Sequence, residues 1–205
     1  MKQLALGISP PPQPTLENFV PGANAEILAR LRELRAGTFR ESVLYLWGDA
    51  GSGKTHLLQA CSGLGAVDDV DRLDEAAQIG LFNRINEARQ SGGAILAAGN
   101  APPAQLPLRE DLKSRLAWGL VYQLKPLTDE LRSAYLHAEF ARRGMQPPEE
   151  VIAFLLTRMR RDLRSLAAIV DRLDRFSLET KRPVTLPLVR AALAPGPDDA
   201  EEGAC

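Results

Sequence analysis

The sequence predicts an α/β domain on a parallel sheet, followed by a small domain made only of helices. Three observations lead there. Short apolar runs, SVLYLW at 42–47, AILAA at 94–98 and LVYQL at 120–124, alternate with helix-patterned segments, the order that gives parallel strands joined by crossover helices. The octapeptide GDAGSGKT, residues 48–55, directly follows the first run. It fits G-x-x-x-x-G-K-[ST] in full, a phosphate-binding loop that belongs between a strand and a helix. From Pro126 onward no further strand pattern occurs and the apolar spacing is helical.

Taken in order, residues 1–14 hold Pro10, Pro11, Pro12 and Pro14 without periodicity, which predicts an extended, flexible arm. Asn24 is placed to cap a helix reaching Arg35, with Ile27, Leu28, Leu31 and Leu34 at helical spacing. After the phosphate loop a short helix runs through Cys61, and Gly63 and Gly65 break it. Ala66–Val70 reads as a second strand. Asp74 to about Ser91 reads as a helix stopped by Gly92-Gly93, and Asp111–Leu116 as a shorter one. Pro102-Pro103 interrupts regular structure between them. In the helical part, Thr128 caps one helix to about Gly144. Others run from Pro148 to Met159, from Asp162 to Thr180 and from Thr185 to Leu193. The tail 195–205 is acidic and poor in large apolar residues, hence disordered. The expected boundaries are an arm at 1–14, an α/β base at 15–125, a helical domain at 126–194 and the tail.

Composition narrows the function. The 205 residues are 45% apolar and 25% charged, ordinary for a globular protein. No run approaches the roughly 18 apolar residues of a membrane span, so a cytoplasmic protein with no membrane partner is expected. Cys61 and Cys205 form neither a disulfide framework nor a zinc motif. A formal net charge of −1 argues against nucleic-acid binding by bulk electrostatics.

The chemistry centres on the loop. Gly48 opens the nucleotide-binding loop, and backbone N–H groups from Asp49, Ala50, Gly51, Ser52, Gly53, Lys54 and Thr55 can surround a β-phosphate. Lys54 supplies charge to the outer phosphates, and Thr55 offers a hydroxyl to Mg²⁺. The expected cofactors are therefore ATP or ADP with Mg²⁺. In AVDDV, Asp68 is placed to hold Mg²⁺ through water and Asp69 to orient or activate the attacking water. Asn100 follows the AILAA strand, where it either touches the γ-phosphate or lytic water, or bonds its own loop. Arg115, in SRLAWGL, reads either as an arginine finger offered to a neighbour's nucleotide or as a surface ion pair. Arg158, Arg160, Arg161 and Arg164 form a basic cluster, of which one member can reach phosphates from the helical domain. His56 and His137 are isolated packing or surface residues.

Together these segments resemble the AAA+ P-loop ATPases of the DnaA group, over about residues 14–194. PTLENFVPGAN, residues 14–24, is similar to the segment that helps form their adenine pocket. ILAAGNAPP resembles their strand-plus-double-proline sensor segment, and SRLAWGLVYQLKPL their arginine-finger segment. The resemblance implies a helical lid and assigns Asn100 to the first sensor position, Arg115 to the arginine finger and Arg161 to the lid's second sensor arginine. The initiator itself continues into a helix-turn-helix DNA-binding domain, whereas this chain is expected to stop at the lid with only an acidic tail. Gln3-Leu4-Ala5-Leu6 resembles the Q-L-x-L peptide that docks on the bacterial sliding clamp, with Leu4 and Leu6 in an apolar pocket and Gln3 at its rim. This combination resembles the family's regulatory members, which act with the DNA-loaded clamp to make DnaA hydrolyse its ATP and so limit re-initiation of replication. The implied partners are the clamp through residues 3–8, DnaA through a surface including Arg115, and DNA indirectly through the clamp. A homo-oligomer is also compatible with the family.

Against that family the span between Thr55 and Asp68 is short: twelve residues, His56 to Val67. The resemblance implies a further strand and helix there, and this chain lacks them. A parallel crossover needs about 10–12 residues, so the connection is just long enough. The missing strand belongs at the sheet edge, beyond Ala66–Val70, so nucleotide binding is expected to survive at reduced stability. Two other functions fit the same residues. A DnaA-like helicase loader would act on single-stranded DNA, and a nucleotide-binding remnant would have no partner effect.

Overall fold

The computed structural model describes residues 13–159 and 162–194. The chain divides into two compact units between Lys125 and Pro126.

The first unit contains α1 (Ala25–Arg35), β1 (Val43–Trp47), α2 (Lys54–Ala60), α3 (Glu75–Ser91), β2 (Ile95–Gly99), α4 (Glu110–Leu116) and β3 (Leu120–Gln123). All strands are parallel, in the order β2-β1-β3. The register pairs Leu44 of β1 with Leu96 and Leu120, and Trp47 with Gly99 and Gln123. Side chains alternate across a strand, and β1 is buried on both faces. Leu44 and Leu46 join Leu31, Leu57 and Leu96 on one side, where α1 and α2 pack. Val43 and Tyr45 join Ile85, Ala97 and Leu112 on the other, where α3 and α4 pack. This two-faced burial explains why the strands read as continuous apolar runs.

The helix ends follow local chemistry. The Asp74 carboxylate accepts from Ala77 N–H at 2.8 Å and caps α3. Asn24 departs from expectation: it makes no cap bond. Its side chain instead donates to Lys125 O and accepts from Lys125 N–H, both at 2.9 Å. The start of α1 is thereby tied to Lys125, two residues beyond β3.

The second strand expected at Ala66–Val70 is also corrected. Only Val67 pairs, in a single parallel bridge to Ala97. Val67 N–H donates to Leu96 O and Val67 O accepts from Ala98 N–H, each at 2.9 Å. Asp69 then takes a left-handed backbone, φ 47° and ψ 46°, and a single 3-10 turn follows at Val70–Arg72. Extended structure cannot continue through that turn. No strand among the described residues lies outside Val67 to hold it straight. The bridge nevertheless sits beyond β2, on the edge where the acidic pair is expected.

The second unit contains α5 (Asp129–Arg142), α6 (Glu149–Arg158), α7 (Leu163–Thr180) and α8 (Leu186–Leu193). Thr128 and Asp162 cap α5 and α7 by accepting from Leu131 N–H and Ser165 N–H. Leu136, Phe140, Ile152, Leu155, Val170 and Leu173 form its core. Arg143 bridges Glu139 and Asp171, fastening α5 to α7. Among the described residues no helix is long and apolar enough to cross a membrane.

Candidate functional site

β1 ends at Trp47 and releases the chain into the loop 48–53, which opens α2 at Lys54. Gly53 has φ 104°, and a Cβ there would meet the Phe19 ring at 2.7 Å, so only glycine fits without displacing the ring. Lys54 Nζ donates to Gly48 O at 2.6 Å and Asp49 O at 3.1 Å, which keeps the ammonium at the mouth of the loop. The opening segment is fastened to the same place. His56 Nε2 donates to Thr15 O at 2.9 Å, and Phe19 meets the His56 ring edge-on with centroids 5.4 Å apart. His56 is thus a packing residue, and Phe19, which sequence reasoning passed over, covers the loop's last glycine.

Thr55 and Asp68 come together despite the short connection. Thr55 Oγ1 donates to Asp68 Oδ2 at 2.7 Å. The other carboxylate oxygen accepts from Asp69 N–H at 3.0 Å, which fixes its orientation. Two hard oxygen donors in contact suit Mg²⁺, which binds through one or two protein groups plus substrate phosphates. Thr55 and Asp68 would hold it. The described residues contain no cluster of three or more His, Cys, Asp or Glu that could hold a metal ion, so nucleotide phosphates and water would supply the remaining ligands. When bound, the ion would neutralise phosphate charge.

Asp69 and Asn100 are placed differently from Asp68. The exposed Asp69 carboxylate lies 3.7 Å from Arg72. Asn100 follows β2 and is held by Asp71: its N–H donates to Asp71 Oδ1 at 3.1 Å and its Nδ2 to Asp71 Oδ2 at 3.0 Å. Asp71 was missed in the sequence. Its signal was the third carboxylate of DDVD, two residues beyond Asp69. Beneath this pair, Tyr45 donates to Ala101 O at 2.8 Å. Burial, and secondarily the Asp71 carboxylate, push the Tyr45 phenol above its usual range, so it stays protonated as a donor.

Arg115 is not brought to this group. It lies in the last turn of α4, which leads into the N-terminal end of β3. The strands are parallel, so that end lies opposite the loop that follows β1. The described residues give Arg115 no hydrogen bond or ion pair, and its Nε is buried without a partner. Arg161 and the clamp-type residues Gln3, Leu4 and Leu6 lie outside the described residues.

Comparison with known proteins bears on both units. The helical unit matches the family model described as the lid domain of Hda, over residues 129–193. A Haemophilus influenzae protein described as uncharacterized is 33% identical over 228 residues, covering 94% of this chain and 98% of that one. Domain III of the Thermotoga maritima replication initiation protein DnaA superposes with a TM-score of 0.71 at 25% identity, covering 89% of this chain and 96% of that one. AMPPCP-bound DnaA from Aquifex aeolicus gives 0.65 at 22% identity, covering 78% and 64%, a likeness of fold alone. A parallel α/β unit followed by a lid-type helical unit defines an AAA+ protein. The chain belongs to the DnaA-related AAA+ family and is Hda-like within it.

Proposed function

We propose that this DnaA-related regulator is a nucleotide-binding adaptor that works in trans. It binds ADP or ATP with Mg²⁺ through residues 48–55 and Asp68. It docks on the sliding clamp through residues 3–8 and offers Arg115 to ATP held by DnaA. Hydrolysis there limits re-initiation. The observation that carries this reading is the position of Arg115: a guanidinium with no acidic partner among the described residues, on the sheet end away from its own phosphate loop. An arginine so placed cannot serve the nucleotide of its own subunit and is suited to a neighbour's. Asp69 and Asn100 would support any turnover by the chain itself, and Arg161 would contact its nucleotide from the lid.

The test is hydrolysis of labelled ATP pre-loaded on DnaA, with DNA-loaded clamp and the full chain. The intact protein is expected to accelerate it and Arg115→Ala is not. If neither folded protein accelerates it, the adaptor reading fails, and a helicase loader acting on single-stranded DNA becomes the reading to test.

A further inference from the structure

Arg115 is held by rings. Its guanidinium carbon lies 3.5 Å from the Trp118 ring centroid and 5.1 Å from that of Phe82. Arg89 stands over the same indole at 4.2 Å. Two cations of the same segment are matched with acids, Lys113 with Glu110 and Arg109 with Asp111. Arg115 has no such match among the described residues, and its buried Nε has no acceptor. A carboxylate partner would fix the guanidinium by occupying its N–H groups. Stacking fixes its plane and leaves those donors free for a phosphate. Trp118 is 38% exposed, so burial of the ring alone does not account for its place.

We propose that Trp118 is a positioning residue, one that holds Arg115 ready for the triphosphate of a neighbouring protein. Arg89 steadies the indole through the second stack. The proposal rests on the trans reading of Arg115. Trp118 acts through Arg115 and does not itself meet the nucleotide.

The experiment compares Trp118→Leu, Trp118→Phe, Arg115→Ala and the Trp118→Leu/Arg115→Ala pair in the full chain, using labelled ATP on DnaA with loaded clamp. Trp118→Leu is expected to lower the saturated rate roughly threefold to fivefold, the scale of an exposed cation–π contact. The half-saturating concentration should hardly move, because docking is intact. Trp118→Phe should recover most of the rate, and the pair should be no worse than Arg115→Ala. A second readout needs no partner: in a Trp47→Phe background, where Trp118 is the sole indole, Arg115→Ala should shift its emission and raise its quenching by acrylamide. Full activity in folded Trp118→Leu, equal damage in Trp118→Phe, or indole emission indifferent to Arg115→Ala each overturns the positioning role. A wild-type chain that fails to stimulate DnaA overturns the trans reading and this proposal with it. An active wild type with an equally active Trp118→Leu overturns the positioning role alone.

Discussion

Replacing Asn24 with alanine separates two accounts of one residue. Asn24 is 3% exposed and exchanges two hydrogen bonds with the Lys125 backbone. Each is worth about 1 kcal/mol net, and more where its partner is shielded from water by the buried Asn24. Asn24→Ala should therefore cost about 2–3 kcal/mol, on the order of 10 °C in Tm for a unit of this size. Urea unfolding followed by circular dichroism gives the difference. Asn24→Asp is the discriminating variant. Aspartate caps a helix about as well as asparagine, so a capping role predicts no change. The tie to Lys125 predicts a loss, because the donor to Lys125 O becomes an acceptor facing an acceptor. An Asn24→Asp protein as stable as the parent would refute the tie.

Further expectations follow from the packing. At Gly119 a Cβ would overlap the Val43 carbonyl oxygen and lie 2.7 Å from its carbon, and backbone cannot turn aside. Gly119→Ala should cost roughly 1–3 kcal/mol by denaturant unfolding, as overpacking does, and a neutral result would refute the close approach of β1 to the start of β3. Leu155 is fully buried in the helical unit, so Leu155→Ala should cost about 2–5 kcal/mol in the same assay. Burial raises the Cys61 thiol above the usual cysteine range, outweighing an opposing effect of Arg35. The folded chain then holds that proton more tightly than the unfolded chain. The resulting stability is full below the unfolded pKa, about 8.5, and is lost as pH rises through the higher folded value. Cys61→Ala should flatten that decline in unfolding measured from pH 7 to 10.

The readable parts of the molecule were those set by near neighbours in sequence. The phosphate loop declares itself in eight consecutive residues, and α3 in its Asp74 cap and apolar stripe. Thr55 and Asp68 are singled out by the motif's chemistry, and the twelve residues between them suffice to bring the two side chains into contact. The misread parts depend on distant partners. Asn24 reads as a cap because what it bonds lies 101 positions away. Ala66–Val70 reads as a strand because its pattern suits one, yet the left-handed turn at Asp69 ends the pairing after Val67. Asp71 stayed hidden among three aspartates until β2 brought Asn100 to it. Trp118 lies three residues after Arg115, but its stack on the guanidinium depends on how the chain turns between α4 and β3.

The shortened connection between Thr55 and Asp68 is where the nucleotide reading is most exposed. Calorimetric titration of the full chain with ADP and with ATP, with and without Mg²⁺, tests it directly, with Lys54→Ala and Asp68→Ala alongside. A complete site predicts saturable one-to-one binding of at least one nucleotide, strengthened by Mg²⁺. Lys54→Ala should weaken binding with or without the ion, and Asp68→Ala should abolish the Mg²⁺ effect. A cooperatively folded wild-type protein that binds neither nucleotide in the presence of Mg²⁺ would contradict it.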